Sequence, residues 1–441
     1  MNDTELLAAL LEAARAAGAD AADAMLVRSG SLGLQRRAGR TEEIERSDSR
    51  ELGLRVFAGP RPAIVSATDL DPAGFPRLAE RALAMARVVP EDRDAGLGPE
   101  PPPPRDGLDL VCAAEPTTEA LAAWTAAAED AARAVPGVAA VDAVSAGFSR
   151  ASITLATSAG FAASYVRTAY SGAATAIAGE GTGMQRDYDY ATTTHQADLD
   201  PPEAIGRRAG TRAVARLAPA RPRTARLPVV YDPRVARSLL SHLAAAISGE
   251  AVAEGTSFLK DRLGQRIFAP GVLVIDDPHR PRGLRSRPFD GEGVAGARRE
   301  LVADGRLQGW LLDWRSARRL GLASTGNAAR RPGGPPGPSP ANLWLAPGAL
   351  SPAALMADIG EGLYVTELIG SGVNPITGDY SRGAAGFLIR NGDIAEPVAE
   401  ITIAGNLLDM FAHLTPADDL AFRHGIDAPT LRIEGMTLAG A

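Results

Sequence analysis

Residues 365–407 read V-T-E-L-I-G-S-G-V-N-P-I-T-G-D-Y-S-R-G-A-A-G-F-L-I-R-N-G-D-I-A-E-P-V-A-E-I-T-I-A-G-N-L. Apolar, strand-like runs flank this stretch, and glycines and hydroxyl groups lie between them. The glycines at 370, 372, 378, 383 and 386 leave backbone uncovered, which costs conformational entropy unless another chain approaches closely there. Two interpretations follow from the pattern: a hairpin meander with turn glycines, or a functional loop.

Residues 377–383 form the richest polar cluster of the chain. Asp379 and Arg382 could neutralise each other, which would leave Tyr380 and backbone N–H groups to hold a peptide or a partner strand by β-addition. No G-x-S-x-G nucleophile elbow, phosphate loop or dinucleotide fingerprint competes with this interpretation. The candidate peptide- or partner-facing residues are Thr377, Gly378, Asp379, Tyr380, Ser381, Arg382 and Gly383.

Length, charge and cysteine usage restrict the class of protein. A chain of 441 residues is expected to form two or three domains of about 150 residues each. Its net charge of −7 argues against direct binding to nucleic acid. Cys112 is the only cysteine, so no internal disulfide can form. The N-terminus lacks the basic region of a signal peptide, and the sequence has no long apolar run. We therefore expect a cytoplasmic protein without a signal peptide or membrane span.

The order of predicted elements indicates an α+β fold in three parts. Residues 1–90 and 111–222 each read as a small unit of a helix, antiparallel strands and a helix, without a residue-level repeat. Residues 91–110, rich in proline, separate them as a linker. Residues 223–441 are predicted to form a mostly β C-terminal domain, in which a helix over 233–247 begins at Asp232 and Pro233. The proline- and glycine-rich patch 331–340 is predicted to be a mobile surface loop.

Histidines and paired carboxylates supply weaker candidates for a metal site. His242, on the helix 233–247, has no ligand beside it, and a lone helical histidine is typical of a structural role. Asp276, Asp277 and His279 follow a predicted strand and could bind a cation or polarise a water molecule. The arginines after them favour an ion-paired loop instead. We therefore predict no metal and no cofactor in this chain.

Five blocks of the third part resemble the TldD/PmbA family, and most closely its TldE (PmbA) branch. They are S-F-L-K-D-R-L-G (257–264), D-D-P-H-R-P-R-G-L-R-S-R-P-F-D-G-E-G (276–293), V-T-E-L-I-G (365–370), T-G-D-Y-S-R-G-A-A-G-F (377–387) and E-I-T-I-A-G-N-L (400–407). The resemblance implies a subunit of a bacterial cytosolic metallopeptidase, in which a TldD chain carries zinc through H-E-x-x-x-H and a later cysteine and pairs with TldE.

This sequence departs from the TldD pattern at the zinc ligands. In L-L-S-H-L-A-A-A-I-S-G-E (239–250), Ser241 and Ala246 occupy the two histidine positions and His242 the position of the base. The segment 424–437 has no cysteine. The resemblance therefore implies a zinc-free, TldE-like subunit that acts on unfolded or extended peptides beside a zinc-bearing TldD-like partner. Two alternatives remain open: a self-sufficient hydrolase with an atypical metal site, and a non-enzymatic regulator that binds another protein, such as gyrase.

Overall fold

The computed structural model describes residues 1–98 and 106–440. Part of the predicted linker 91–110, residues 99–105, lies outside the described residues. The predicted α+β class is confirmed, because helices and mainly antiparallel sheets occupy the chain. None of the described helices is both long and apolar enough to cross a membrane.

The helices and strands of the described residues are numbered in chain order. The α-helices are α1 (Asp3–Ala17), α2 (Phe75–Ala86), α3 (Thr118–Arg133), α4 (Pro202–Ala215), α5 (Pro233–Ala246), α6 (Gly249–Ala253), α7 (Trp314–Arg319), α8 (Pro352–Met356) and α9 (Leu407–Ala412). The strands are β1 (Ala21–Arg37), β2 (Arg40–Ala58), β3 (Arg61–Ala67), β4 (Val138–Thr157), β5 (Ala162–Ala178), β6 (Gln185–Thr193), β7 (Ala225–Tyr231), β8 (Val274–Asp277), β9 (Arg299–Ala303), β10 (Arg306–Leu307), β11 (Ala328–Ala329), β12 (Gly337–Pro338), β13 (Asn342–Leu345), β14 (Glu361–Ile369), β15 (Asp379–Arg390), β16 (Asp393–Asn406), β17 (Leu414–Pro416), β18 (Ile426–Asp427) and β19 (Leu431–Ala439).

The two N-terminal units share one six-stranded sheet with the order β3-β2-β1-β4-β5-β6. Each unit contributes three strands, and β1 pairs with β4 along its length to join them. Gly30 and Arg150 lie opposite each other in this continuous antiparallel ladder. Helices α1 and α2 pack against one half of the sheet, and α3 and α4 pack against the other.

The C-terminal domain contains a closed ring of strands. In its sheet, β16, β15, β14, β7 and β19 are neighbours in that order, and β16 also pairs with β19, which closes the ring. A second sheet has the order β10-β9-β8-β13-β18. Helix α5 contacts β7 and β14 of the ring and β13 and β18 of the second sheet. A single core of apolar side chains connects the helix with both sheets.

Helix α5 begins at the predicted residues. The side chain of Asp232 accepts a hydrogen bond from the backbone N–H of Arg234 (2.9 Å), and Pro233 occupies the first turn. Leucines and alanines on one side of the helix are buried, whereas Ser241 and Ala245 are exposed. The helix therefore presents one face to the core and another to the surface, as its apolar spacing requires.

The patch 331–340, which was predicted to be a mobile surface loop, packs against the N-terminal sheet. A Cβ atom on Gly53, in β2, would lie only 1.9 Å from the carbonyl oxygen of Pro332. Just before the patch, the fully buried Arg330 forms a 2.6 Å ion pair with Asp23 of β1. Composition alone suggested a loop, but glycine in the facing strand allows its backbone to approach the sheet.

Glu292 lies near the contact between the patch 331–340 and the N-terminal sheet. Its carboxyl group is expected to make the free energy of unfolding depend on pH. Burial raises the pKa of its carboxyl group from 4.5 to about 8, although Arg55 opposes the rise. A group whose pKa is raised on folding contributes stability that is complete below its unfolded pKa and is lost as the pH rises through its folded pKa. We therefore expect the free energy of unfolding to fall between about pH 5 and pH 8, and Glu292→Gln to reduce that fall.

Urea denaturation at several pH values measures this dependence. Glu45→Gln is the matched control, because Glu45 is exposed in β2 and should leave the pH profile unchanged. An identical profile for Glu292→Gln and the unmodified chain would contradict the prediction.

Candidate functional site

The turn before β15 satisfies most of its own hydrogen bonds. The Thr377 hydroxyl donates to Asp379 Oδ2 (2.6 Å), and Asn406 Nδ2 donates to Asp379 Oδ1 (3.2 Å). These two hydrogen bonds lower the pKa of Asp379. Gly378 has a φ of +80°, a left-handed conformation that glycine adopts without strain. The turn is consequently a defined, mostly exposed structure that includes Thr377 and Asp379.

The predicted polar cluster is divided between the two faces of β15. Asp379 and Ser381 are exposed, Tyr380 is buried, and Arg382 is half-buried. Side chains alternate between faces along a strand, so Asp379 and Arg382 point in opposite directions. The ion pair predicted between them is absent from the described residues, and that expectation is corrected.

Packing brings Tyr380 and Arg382 together with His242 of α5. The rings of His242 and Tyr380 lie 6.1 Å apart between centroids and meet edge to face at 81°. Burial first, and then the positive charge of Arg382, lowers the pKa of His242. The same charge opposes the rise in pKa that burial causes at Tyr380. We call this group of three residues the His242–Tyr380–Arg382 cluster.

Two nitrogen atoms of the cluster have unused hydrogen-bonding capacity. Nε2 of His242 and Nε of Arg382 are both buried, and neither makes a hydrogen bond within residues 1–98 and 106–440. Buried polar atoms are nearly always hydrogen-bonded in folded proteins. Such atoms in one cluster point to a ligand or an ordered solvent molecule.

At two of the glycines in 365–407, the close approach comes from this same chain. A Cβ atom on Gly372 would lie 2.0 Å from the carbonyl oxygen of Ser381, and one on Gly386 would lie 2.0 Å from that of Tyr364. Both contacts are between neighbouring backbone segments, so no second chain is needed to explain these glycines. The meander interpretation accounts for Gly372 and Gly386, whereas the His242–Tyr380–Arg382 cluster is a separate feature that joins β15 to α5.

The secondary candidates lie on and after β8 and serve local structure. Asp276 is buried and accepts a 2.8 Å hydrogen bond from Asn327 Nδ2. Burial raises its pKa to about 6. Asp277 Oδ1 accepts a hydrogen bond from the backbone N–H of His279 (2.8 Å), which closes the turn after the strand. Arg282, in the loop that follows, forms ion pairs with Asp109 (2.6 Å) and Asp198 (3.0 Å).

The residues on α5 do not fit the zinc site of a TldD chain. The Ser241 hydroxyl donates to the carbonyl oxygen of Arg237 (3.3 Å), and Ala246 has no ligand atom. Catalytic zinc needs three protein ligands and an open position. In the described part of the chain, no three histidine, cysteine, aspartate or glutamate side chains lie close enough together to hold a metal ion.

A groove runs along the exposed side of α5. Its volume is about 440 Å³, and its walls include Ser241 and Ala245 of the helix and Arg285 and Ser339 opposite them. Of the two positions aligned with TldD ligands, Ser241 lines the groove, whereas Ala246 is buried and does not.

Comparison with known proteins places this architecture in a family. Models of the PmbA/TldA metallopeptidase domain 1, central domain and C-terminal domain match residues 22–86, 113–217 and 224–440, respectively. The metalloprotease PmbA of Escherichia coli O157:H7 is 36% identical over 425 residues, which cover 96% of this chain and 92% of the relative. The chain belongs to the PmbA/TldD metallopeptidase family.

Further relatives agree with this assignment. A PmbA homologue from Haemophilus influenzae is 34% identical over 436 residues, covering 98% of this chain and 94% of the relative. A crystal structure assigned to a modulator of DNA gyrase from Bacteroides thetaiotaomicron superposes with a TM-score of 0.91 at 25% identity, covering 100% and 99% of the two chains. TldE from Thermococcus kodakarensis shares the fold, with a TM-score of 0.89 at 22% identity and coverage of 99% and 100%.

Proposed function

We propose that this chain is a TldE-like, zinc-free subunit of a cytoplasmic metallopeptidase complex that cleaves unfolded or extended peptides. Its partner is a TldD-like chain that carries the zinc ion. The observation that supports the proposal is helix α5, in which the resemblance to the TldD pattern aligns Ser241 and Ala246 with the two histidine positions. This chain then supplies a surface for the peptide or the partner and leaves hydrolysis to the partner's metal.

The C-terminal domain offers two features suited to such a surface. The turn around Thr377 and Asp379 is exposed and held in one conformation by Asn406. The groove beside α5 is open along the exposed face of the helix. Main-chain pairing at a sheet edge or groove recognises extended peptides with little dependence on their sequence.

Reconstitution with a TldD-like partner that has an intact H-E-x-x-x-H motif tests the proposal. We expect the two chains to co-elute, the pair to contain zinc only in the partner, and cleavage of unstructured peptides to exceed that of either chain alone. The matched control is a partner with its motif glutamate changed to glutamine, which should assemble but not cleave. Failure to co-elute together with no gain in cleavage would overturn the proposal.

Metal analysis separates the proposal from a self-sufficient hydrolase. We expect the isolated chain to lose zinc on dialysis, because the ligand positions lack donor side chains. Zinc retained at one ion per chain would instead favour a site built from His242 or from Asp276, Asp277 and His279.

A further inference from the structure

We propose that the His242–Tyr380–Arg382 cluster is a carboxylate-binding site. The inference rests on the proposed function, because a subunit that binds peptides would meet the carboxylate groups of those peptides. It goes further by naming the chemical group that is recognised and the residue that recognises it, Arg382.

The guanidinium group of Arg382 is the centre of this site. It is half-buried and forms no ion pair or hydrogen bond with any residue that the structure describes. A cation removed from water is costly unless an anion or hydrogen-bond acceptors replace its hydration. A guanidinium group presents a planar fork of N–H donors that matches a carboxylate.

Two other half-buried arginines of this chain have such partners. Arg234 pairs with Asp187 (2.9 Å) and Asp232 (3.2 Å). Arg285 donates to the carbonyl oxygen of Pro340 (2.9 Å). Arg382 differs from these two arginines, because it has no acceptor among the described residues.

The other two members of the cluster suit the same ligand. His242 Nε2 is buried without a partner among the described residues, and its neutral ring can donate one N–H to a carboxylate oxygen. Tyr380, at 1% exposure, brings a hydroxyl group to the buried side of the cluster, next to that of Tyr231. The cluster thus brings two nitrogen donors without partners close to a positive charge, and no carboxylate of the described residues is paired with that charge.

Acetate is the first probe, followed by NMR of the full chain. The chain has five histidines, so the ring Cε1–H resonance of His242 can be assigned by its loss in His242→Gln. We expect acetate to shift this resonance in a saturable manner in the unmodified chain. Arg382→Gln should weaken the apparent affinity roughly tenfold or more, and Arg382→Lys should weaken it less, because lysine keeps the charge but loses the fork.

Arg390→Gln is the matched control. Arg390 is an exposed arginine on the same strand, paired with Glu361 and Glu396, and its replacement should leave the acetate response unchanged. No saturable shift in the unmodified chain, or equal affinities in Arg382→Gln and Arg390→Gln, would overturn the proposal.

Peptides then identify the source of the carboxylate. Acetylated tetraalanine with a free C-terminus, its C-terminal amide, and the amide with one alanine replaced by glutamate separate a terminal from a side-chain carboxylate. Binding of either acidic peptide, but not of the neutral amide, supports the site, whereas equal binding of all three contradicts it.

The experiments can overturn the carboxylate site and the proposed function independently of each other. Carboxylate binding through Arg382 without assembly with a TldD-like chain would retain the site and overturn the function. Assembly and cleavage that do not depend on a carboxylate or on Arg382 would retain the proposed function and overturn the carboxylate site.

Discussion

Replacing Asp23 with asparagine is expected to lower the free energy of unfolding by about 3–5 kcal/mol, as when one partner of a buried ion pair is removed. Asp23 is 1% exposed and accepts hydrogen bonds from Arg330 Nη1 (2.6 Å) and Arg55 Nε (2.7 Å). Burial alone would raise its pKa, but the two guanidinium groups lower it. Asparagine keeps the shape and leaves two buried cations without their shared carboxylate.

Urea denaturation followed by circular dichroism measures this loss. Asp142→Asn is the control, because Asp142 forms only a long, exposed contact with Arg37 (3.8 Å), and surface pairs contribute about 0–1 kcal/mol. If both variants lose the same amount, the buried pair does not stabilise the contact between the N-terminal sheet and the C-terminal domain.

Replacing Gly386 with alanine should destabilise the C-terminal domain by about 1–3 kcal/mol, the usual cost of forcing an additional methyl group into a packed position. The new Cβ atom would lie 2.0 Å from the carbonyl oxygen of Tyr364 on the neighbouring strand. Gly386 lies in β15, where its pairing with Val365 is followed by a shift in register. Backbone atoms of paired strands cannot move apart without breaking hydrogen bonds, so the strain cannot be relieved by a side-chain rotation.

Thermal unfolding of Gly386→Ala beside Gly360→Ala tests this steric argument. A Cβ atom added to Gly360 would meet no described heavy atom within 4 Å, and the residue lies on the surface, so alanine should be tolerated there. A melting temperature of Gly386→Ala equal to that of Gly360→Ala would show that the strands can separate at low cost.

Local patterns in the sequence predicted where helix α5 begins, but they did not predict how the strands pair. Helix α5 begins at Asp232 and Pro233 as expected, because capping and the restricted φ of proline are local effects. The continuity of the long strands β1 and β4 comes from the pairing between them, which local patterns do not contain. The closure of the ring by β16 and β19 joins segments whose order along the chain gives no signal of it.

The candidate site was only partly visible in the sequence. Alternation along β15 already places Tyr380 and Arg382 on one face and Asp379 on the other, and this signal could have excluded the predicted ion pair. The proximity of His242 had no such signal. The peptide- or partner-facing role of residues 377–383 stays a prediction.

The sequence by itself determined the family resemblance, the α+β class and the presence of Ser241 and Ala246 at the positions that the resemblance aligns with zinc ligands. These are properties of residue identity and local spacing, which do not depend on how distant segments meet. Only the tertiary structure decided that Arg330 is buried against Asp23, and that Arg382 meets His242 without an acidic partner among the described residues. Such contacts join residues far apart in the chain, and their burial and missing counter-charges exist only once the sheets and α5 have packed together.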